Sequence, residues 1–373
     1  MGGSRASKGG LLEESLRAYF LRAGLYALRG VPVRDGSDDL TDIDIWLYER
    51  PTGSSRRRQI VDAKAKSKPK AIERVFWVKG LAEYLGVDSA CIATTDRRPA
   101  LKSISRRIGV QILDGLDLKR IAESNKILFN ERLFEEELWA EIRGVDHRRE
   151  TKKFSEIYDD LKTSVSEVFG AGSCNRALEN FAVLANELLT SHPNSDTARV
   201  ATRLCYIAAS IFCASLDFCL ARYSFKSQSE KQAVVNNIIR YGAEDEALGT
   251  EKIRIAAGLV SKYIDSSGAS AQSLLSQVRR DFQSVRAEVI SEFSTRTLKG
   301  DGLFQSSRDL EFRAFSKNLP GFDGLSVQEK AVIGVLLDFV GLSRQKFSQS
   351  WQNGSDKDEV SQAFPAGDQS NLI

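Results

Sequence analysis

Glu13, Asp44 and the tripeptide Asp62-Ala63-Lys64 are spaced so that one helix and two strands could gather three acids and a lysine. Gln59-Ile60-Val61-Asp62-Ala63-Lys64 reads as a short strand, and its period of two sends Asp62, Lys64 and Lys66 to one face. A carboxylate then stands beside an ammonium. Two acids brought close together repel unless a cation lies between them. Mg²⁺ suits that place, because it takes oxygen ligands and uses one or two carboxylates with waters and phosphate oxygens. Such an ion polarises a phosphate and lowers the pKa of a bound water, while Lys64 orients that water or offsets transition-state charge. The chemistry expected is phosphodiester hydrolysis.

The elements must bring these groups together. Leu40-Thr41-Asp42-Ile43-Asp44-Ile45-Trp46-Leu47 alternates as a half-buried strand, with Asp42 and Asp44 on one face. Between the two strands, Pro51-Thr52-Gly53-Ser54-Ser55 is a turn-rich loop that predicts a hairpin. Antiparallel pairing would bring Asp44 to Asp62. An unpaired acid on a half-buried strand is costly, which favours Asp44 as a ligand, whereas Asp42 reads equally as a supporting group or a surface acid. Glu13 shares helical spacing with Leu16 and Phe20 and is expected to point to the sheet edge, with Glu14 solvated. The Asp-x-Lys pattern alone is not diagnostic. It recurs at Asp117-Leu118-Lys119 and Asp160-Leu161-Lys162 in helical stretches, where such pairs are usually solvated.

Residues 9–121 resemble the PD-(D/E)xK nuclease superfamily and, within it, the Mrr-type restriction endonuclease domain. Gly9, Glu13, Leu16, Tyr19, Phe20 and Gly24 fill the places of that family's first helix. Asp42-Ile43-Asp44-Ile45 and Val61-Asp62-Ala63-Lys64 match its two acidic strands. A helix over 71–85, the strand Ala90-Cys91-Ile92-Ala93-Thr94-Thr95, a helix over 100–108 and the strand Val110-Gln111-Ile112-Leu113 before Asp114-Gly115 follow in the family's order. The resemblance implies that Glu13, Asp44, Asp62 and Lys64 are catalytic. It also implies that Asp44, Asp62 and the Ala63 backbone carbonyl hold Mg²⁺, that Glu13 reaches it through a water, and that Mn²⁺ substitutes. The chain departs from the pattern at Asp62, where Glu is common, and at Ala65 and Lys66, where a glutamine often stands.

Charge is divided along the chain. Residues 1–122 hold 23 Lys plus Arg against 15 Asp plus Glu, a net +8, and the remainder holds 30 against 35, a net −5. Arg56, Arg57, Arg58, Lys66, Lys68 and Lys70 flank the catalytic strand and are the expected contacts to a nucleic-acid backbone, double-stranded DNA first.

At 373 residues, two or three domains are expected. Residues 1–122 read as an α/β restriction-endonuclease-like domain with a central mixed sheet flanked by helices. Residues 123–352 read as an all-helical domain for substrate recognition, oligomerisation or regulation, and 353–373 as a disordered tail. Helices are expected over 129–142, 154–169, 175–190, 197–223, 229–241, 250–264, 271–298 and 327–351. The apolar run 204–221 is as short as a membrane span can be, and Asp217 within it favours a buried central helix and no membrane. The stretch 271–293 could form an interface with a partner protein or a second copy, or close the domain's own core. Five cysteines without a Cys-x-x-Cys pair and only two histidines speak against a disulfide framework or a zinc site, and fit the cytoplasm. The first ten residues lack the apolar core of a secretory signal. The expected function is Mg²⁺-dependent DNA cleavage in restriction or anti-phage defence. The alternatives are a non-catalytic nucleic-acid-binding or assembly protein built on the same fold, or an RNA-directed nuclease.

Overall fold

The computed structural model describes residues 7–64, 70–124, 131–147, 149, 152–263, 269–297 and 300–352. The tail at 353–373, Lys66 and Lys68 therefore lie outside the described residues. The N-terminal part is a five-stranded mixed sheet with flanking helices. Its order is α1 (Lys8–Arg22), β1 (Tyr26–Asp35), β2 (Asp38–Glu49), β3 (Arg57–Lys64), α2 (Ala71–Leu85), β4 (Ser89–Thr94), α3 (Pro99–Ile108), β5 (Val110–Leu113) and α4 (Gly115–Ser124). The strands lie in sequence order. β1, β2 and β3 run antiparallel through short loops, whereas β3, β4 and β5 are parallel, each step using a helix as its crossover.

The expected hairpin forms, with Ile45 opposite Val61 and Trp46 opposite Ile60. β1 is the strand that the hydrophobic pattern hides. Gly30 and Pro32 interrupt its alternation, and Pro32 is tolerated because β1 is a sheet edge. α6 (Phe154–Glu167) covers that edge, where the Ser166 hydroxyl donates to the Pro32 carbonyl. The two faces of the sheet enter separate cores. Ala27, Ile45, Leu47, Val61, Ala63, Cys91 and Ala93 pack with Leu16 and Phe20 of α1 and Leu118 and Ile121 of α4. On the other face, Tyr26, Trp46, Tyr48, Ile60 and Ile92 join α2 and the helical region in one continuous core.

The C-terminal region is helical. After α5 (Glu135–Asp146) and α6 come α7 (Ala171–Thr190), α8 (Asp196–Leu220), α9 (Gln228–Tyr241), α10 (Glu246–Tyr263), α11 (Ala269–Ser284), α12 (Ala287–Glu292), α13 (Gly302–Phe315), α14 (Val327–Val340) and α15 (Arg344–Ser350). Ser195 caps α8, accepting from the Ala198 N–H at 3.2 Å. α8 is long and apolar enough to cross a membrane, but 83% of its most apolar window is buried inside the protein. Asp217 on it is buried too, held by Tyr48, Arg50 and Arg56. α8 is thus the expected central helix.

Three expectations for the helices differ. The single helix over 271–298 is broken after Ser284, where Arg240 Nε donates to the Val285 carbonyl and Arg286 reaches the Asp338 carbonyl, and it continues as α12 and a π-helical turn, Phe293–Thr297. The helix over 327–351 stops at Gly341, which caps it at φ +75°, and restarts behind Ser343. α13 falls where the sequence pattern suggests no helix. All five cysteines are free and buried.

Candidate active site

Asp44 lies in the middle of β2, at an unshifted stretch of its register with β1. Arg29 faces Ile45 and Val31 faces Ile43, so Gly30 and Asp44 lie between two pairs without pairing themselves. Gly30 has φ +60°, a conformation that side-chained residues resist. On its other side, β2 makes its last pair with β3 at Ile45 and Val61. Beyond that point β3 runs on with β4 alone, placing Asp62 against Ile92, Ala63 against Ala93 and Lys64 against Thr94. The Asp44 side chain fills the gap. Its Oδ2 accepts the Ala63 N–H at 2.7 Å and a proton of Lys64 Nζ at 3.0 Å.

Lys64 Nζ also lies 3.4 Å from Asp62 Oδ1, so the ammonium bridges the acids of both strands. Asp62 is only 3% exposed. The Asp44 carboxyl is pushed above the usual aspartate range, first by burial and further by the charge of Asp62, against the pull of the Ala63 N–H and Lys64. Burial alone would lower the Lys64 pKa, but Asp44 and Asp62 more than offset it, and Lys64 is held as an ammonium above its ordinary value. These electrostatics are those of two carboxylates competing for one cation.

Glu13 approaches from α1. Its pKa is raised, first by burial and also by the charge of Asp44, while Arg29 and Lys64 pull it down. Its Oε2 accepts from Arg29 Nε at 2.8 Å. Glu14, expected in solvent, is instead 4% exposed. It accepts from Arg29 Nη1 at 2.9 Å and from the Glu135 N–H at 2.9 Å. The helical region holds the same guanidinium, since Glu136 accepts from Arg29 Nη1 at 2.8 Å and Nη2 at 2.7 Å. Burial of α1 against α5 displaces Glu14 from water. Asp42 is exposed, opposite Pro32.

Two residues of this constellation escaped the sequence reading. Arg29 belongs to the hidden strand β1. Arg74, in the first turn of α2, clasps Asp62 with one edge of its guanidinium, its Nε 2.9 Å from Oδ2 and its Nη2 on Oδ1. That guanidinium stacks over Trp77, 3.8 Å from the ring centroid. The spacing of Arg74 and Trp77, three apart on one helix face, is the signal that could have revealed it.

The expected basic contacts scatter. Arg56 is not a surface group: it is 4% exposed and paired with Asp217, because the β2–β3 loop folds onto α8. Arg58 is half-buried, with Nη2 on the Gly86 carbonyl at 2.6 Å and its pKa lowered by burial. Arg57 is exposed. It opens β3, and five residues of strand put it roughly 17 Å from Asp62. Lys70 is exposed near the other end, 3.2 Å from Glu73. Arg98 and Lys102 stand beyond the end of β4, paired with Asp96 and Asp114 at 2.6 Å each. Among the described residues, the exposed cations beyond the carboxyl ends of β3 and β4 thus include Lys70, Arg98 and Lys102, while Arg56 and Arg58 fold inward at the other end.

Among the described residues, no three His, Cys, Asp or Glu side chains are grouped closely enough to cage a metal ion. The donors are two carboxylates and a backbone carbonyl, a set that fits Mg²⁺ when waters and substrate complete its shell. Compared with known proteins, the chain matches no protein-family model, no curated protein and no solved structure.

Proposed function

We propose that this chain is a divalent-metal-dependent endonuclease acting on double-stranded DNA, its sheet and flanking helices being a PD-(D/E)xK-type domain. The observation that carries the reading is the convergence of Asp44, Asp62 and Lys64, from two strands, on a point where those strands part. Asp44, Asp62 and the Ala63 carbonyl would hold Mg²⁺ or Mn²⁺, with Glu13 reaching it through a water. Once bound, the cation would polarise the scissile phosphate and lower the pKa of a bound water.

The chain's own groups do the rest. Lys64 stays charged between the carboxylates and can donate to a phosphate oxygen or to an attacking water. Arg29 fixes the Glu13 carboxylate, and Arg74 orients Asp62. Lys70, Arg98 and Lys102 lie around the carboxyl ends of β3 and β4, the end at which open α/β sheets bind ligands. A duplex crossing those ends would meet them before Arg57 or Arg58. The helical region would serve recognition, regulation or assembly with a partner or second copy, in a restriction or defence role. Five free, buried cysteines suit a reducing compartment such as the cytoplasm.

A second reading has its own support. Arg74 on Asp62 and Lys64 on Asp44 balance both acids within the protein, and a site neutralised in this way suits a non-catalytic nucleic-acid-binding platform. Incubation of the purified chain with supercoiled DNA, linear DNA and RNA, in Mg²⁺, Mn²⁺ or EDTA, separates these readings. Cleavage of DNA that ceases in EDTA is expected. Binding without cleavage in either metal would overturn the enzyme in favour of the platform, and cleavage confined to RNA would overturn the substrate.

A further inference from the structure

A second concave site lies at the far end of the sheet from Asp62. The loop 50–56, the end of α8, the start of α9 and the π-helical turn at 293–297 enclose a cavity of about 540 Å³. Small-molecule sites have that size, and π-helical turns often accompany functional sites. Leu220 and Leu303 give the cavity an apolar wall.

The charge of its polar wall does not balance. Asp217 accepts from Arg50 Nη1 at 2.9 Å, from Arg56 Nε at 2.6 Å and Nη2 at 3.0 Å, and from the Tyr48 hydroxyl at 2.5 Å. One carboxylate thus answers two guanidiniums whose side chains are 10% and 4% exposed. Lys231 adds a further positive charge, and among the described residues Asp217 is the one acid in the lining. Excess buried charge is costly unless an ion of opposite sign joins it.

The free donors indicate where an anion would sit. Arg56 is saturated, because its Nη1 is taken by the carbonyls of Thr52, Gly53 and Ser55. Among the described residues Arg50 commits only Nη1, and Lys231 makes a single bond, to the Ser224 carbonyl at 2.9 Å. Thr52 and Ser54 line the same space, whereas the Ser294 and Thr295 hydroxyls already donate to the Ser291 carbonyl. A guanidinium edge, an ammonium and hydroxyls suit a phosphate group. Phe225, also in the lining, is 94% exposed and offers an uncovered aromatic face.

We propose that this cavity binds a small phosphorylated ligand of the mononucleotide class, its phosphate against Arg50 and Lys231 and its base against Phe225. The inference does not depend on the chain being a nuclease, because the readout is binding. Calorimetry on the full chain at constant ionic strength would compare AMP, adenosine, pyrophosphate and a 5′-phosphorylated oligonucleotide. AMP should bind, with adenosine at least about tenfold weaker for want of its charge-assisted bonds. Lys231→Gln should weaken AMP and pyrophosphate alike by about tenfold, and Phe225→Ala should weaken AMP alone. Both positions are at the cavity rather than in the core, so unchanged melting of the free variants is expected. Failure of both AMP and pyrophosphate to bind, or AMP binding indifferent to both substitutions, would overturn the proposal. Binding by the oligonucleotide alone would overturn the small-molecule class in favour of a nucleic-acid end.

Discussion

The proposed chemistry rests on groups a few ångströms apart, so single atoms test it. Asp62→Asn keeps a partner for Arg74 but removes the negative charge. It should abolish cleavage while leaving the circular dichroism spectrum and most DNA affinity intact; cleavage at the wild-type rate would remove Asp62 from the site. Lys64→Ala should lower the rate on the order of 10²-fold at saturating Mg²⁺ with little change in metal affinity by calorimetry. An equal loss of metal binding would mean Lys64 acts by setting the charge of the acids. A residue outside the site bears on how stability responds to pH. Asp309 on α13 is pushed up to about 6, first by burial and then by Glu329, against the Gln305 amide that donates to it at 2.8 Å. A carboxyl raised in the folded state binds its proton more tightly there than in the unfolded chain. Its contribution is therefore fully present below about pH 4 and is lost as pH rises through about 6, a change on the order of 3 kcal/mol. Asp309→Asn should raise the urea midpoint at pH 7.5 and leave it nearly unchanged at pH 4; equal effects at both would assign the gain to packing.

Strands and helices decide which cations can reach a substrate. Replacing Lys70, Arg98 and Lys102 with Gln should flatten the log–log salt dependence of duplex binding by about 0.9 per phosphate contact. Arg57→Gln, at the opposite end of β3, should leave the slope unchanged, and a reversed result would put the duplex at the other edge of the sheet. The inward turn of Arg56 and Arg58, which the sequence suggests as surface contacts, shows what the chain makes legible. Asp44 and Asp62 could be read because a period of two fixes the side from which each emerges, and the turn-rich loop fixes antiparallel pairing. β1 could not, because an edge strand tolerates Gly30 and Pro32, which elsewhere signal a turn. Three consecutive arginines carry no sign of which one folds inward. That choice belongs to Asp217, which is 161 residues from Arg56. Arg74 was hard to read for a related reason, since a helix-borne cation looks alike whether it faces water or a buried acid, and only its spacing from Trp77 hints at its place.

Across the whole molecule, the sheet and the helices meet through buried polar bonds as well as apolar contact. Arg17 of α1, 1% exposed, is held by Glu135 at 3.2 Å and by Glu311, which also binds Arg132 at 2.8 Å. Lys162 and the Tyr158 hydroxyl donate to Glu135 at 2.7 and 2.6 Å. Tyr26 meets Ser210 at 3.0 Å. A chain cut after residue 124 would lose these partners and expose Tyr26, Trp46 and Tyr48. It should be recovered as insoluble or dye-binding material, and a soluble fragment with a cooperative melt would show that the sheet folds alone. The same bonds have a consequence over generations. A module that merely docks can be exchanged between lineages, whereas one whose buried polar groups are answered 169 residues away, as Tyr48 is by Asp217, must be inherited with its partner. Substitutions at Tyr48 and Asp217, and at Arg17 and Glu311, should therefore occur together among descendants of this chain, and independent drift at these pairs would show that the two regions have separate histories.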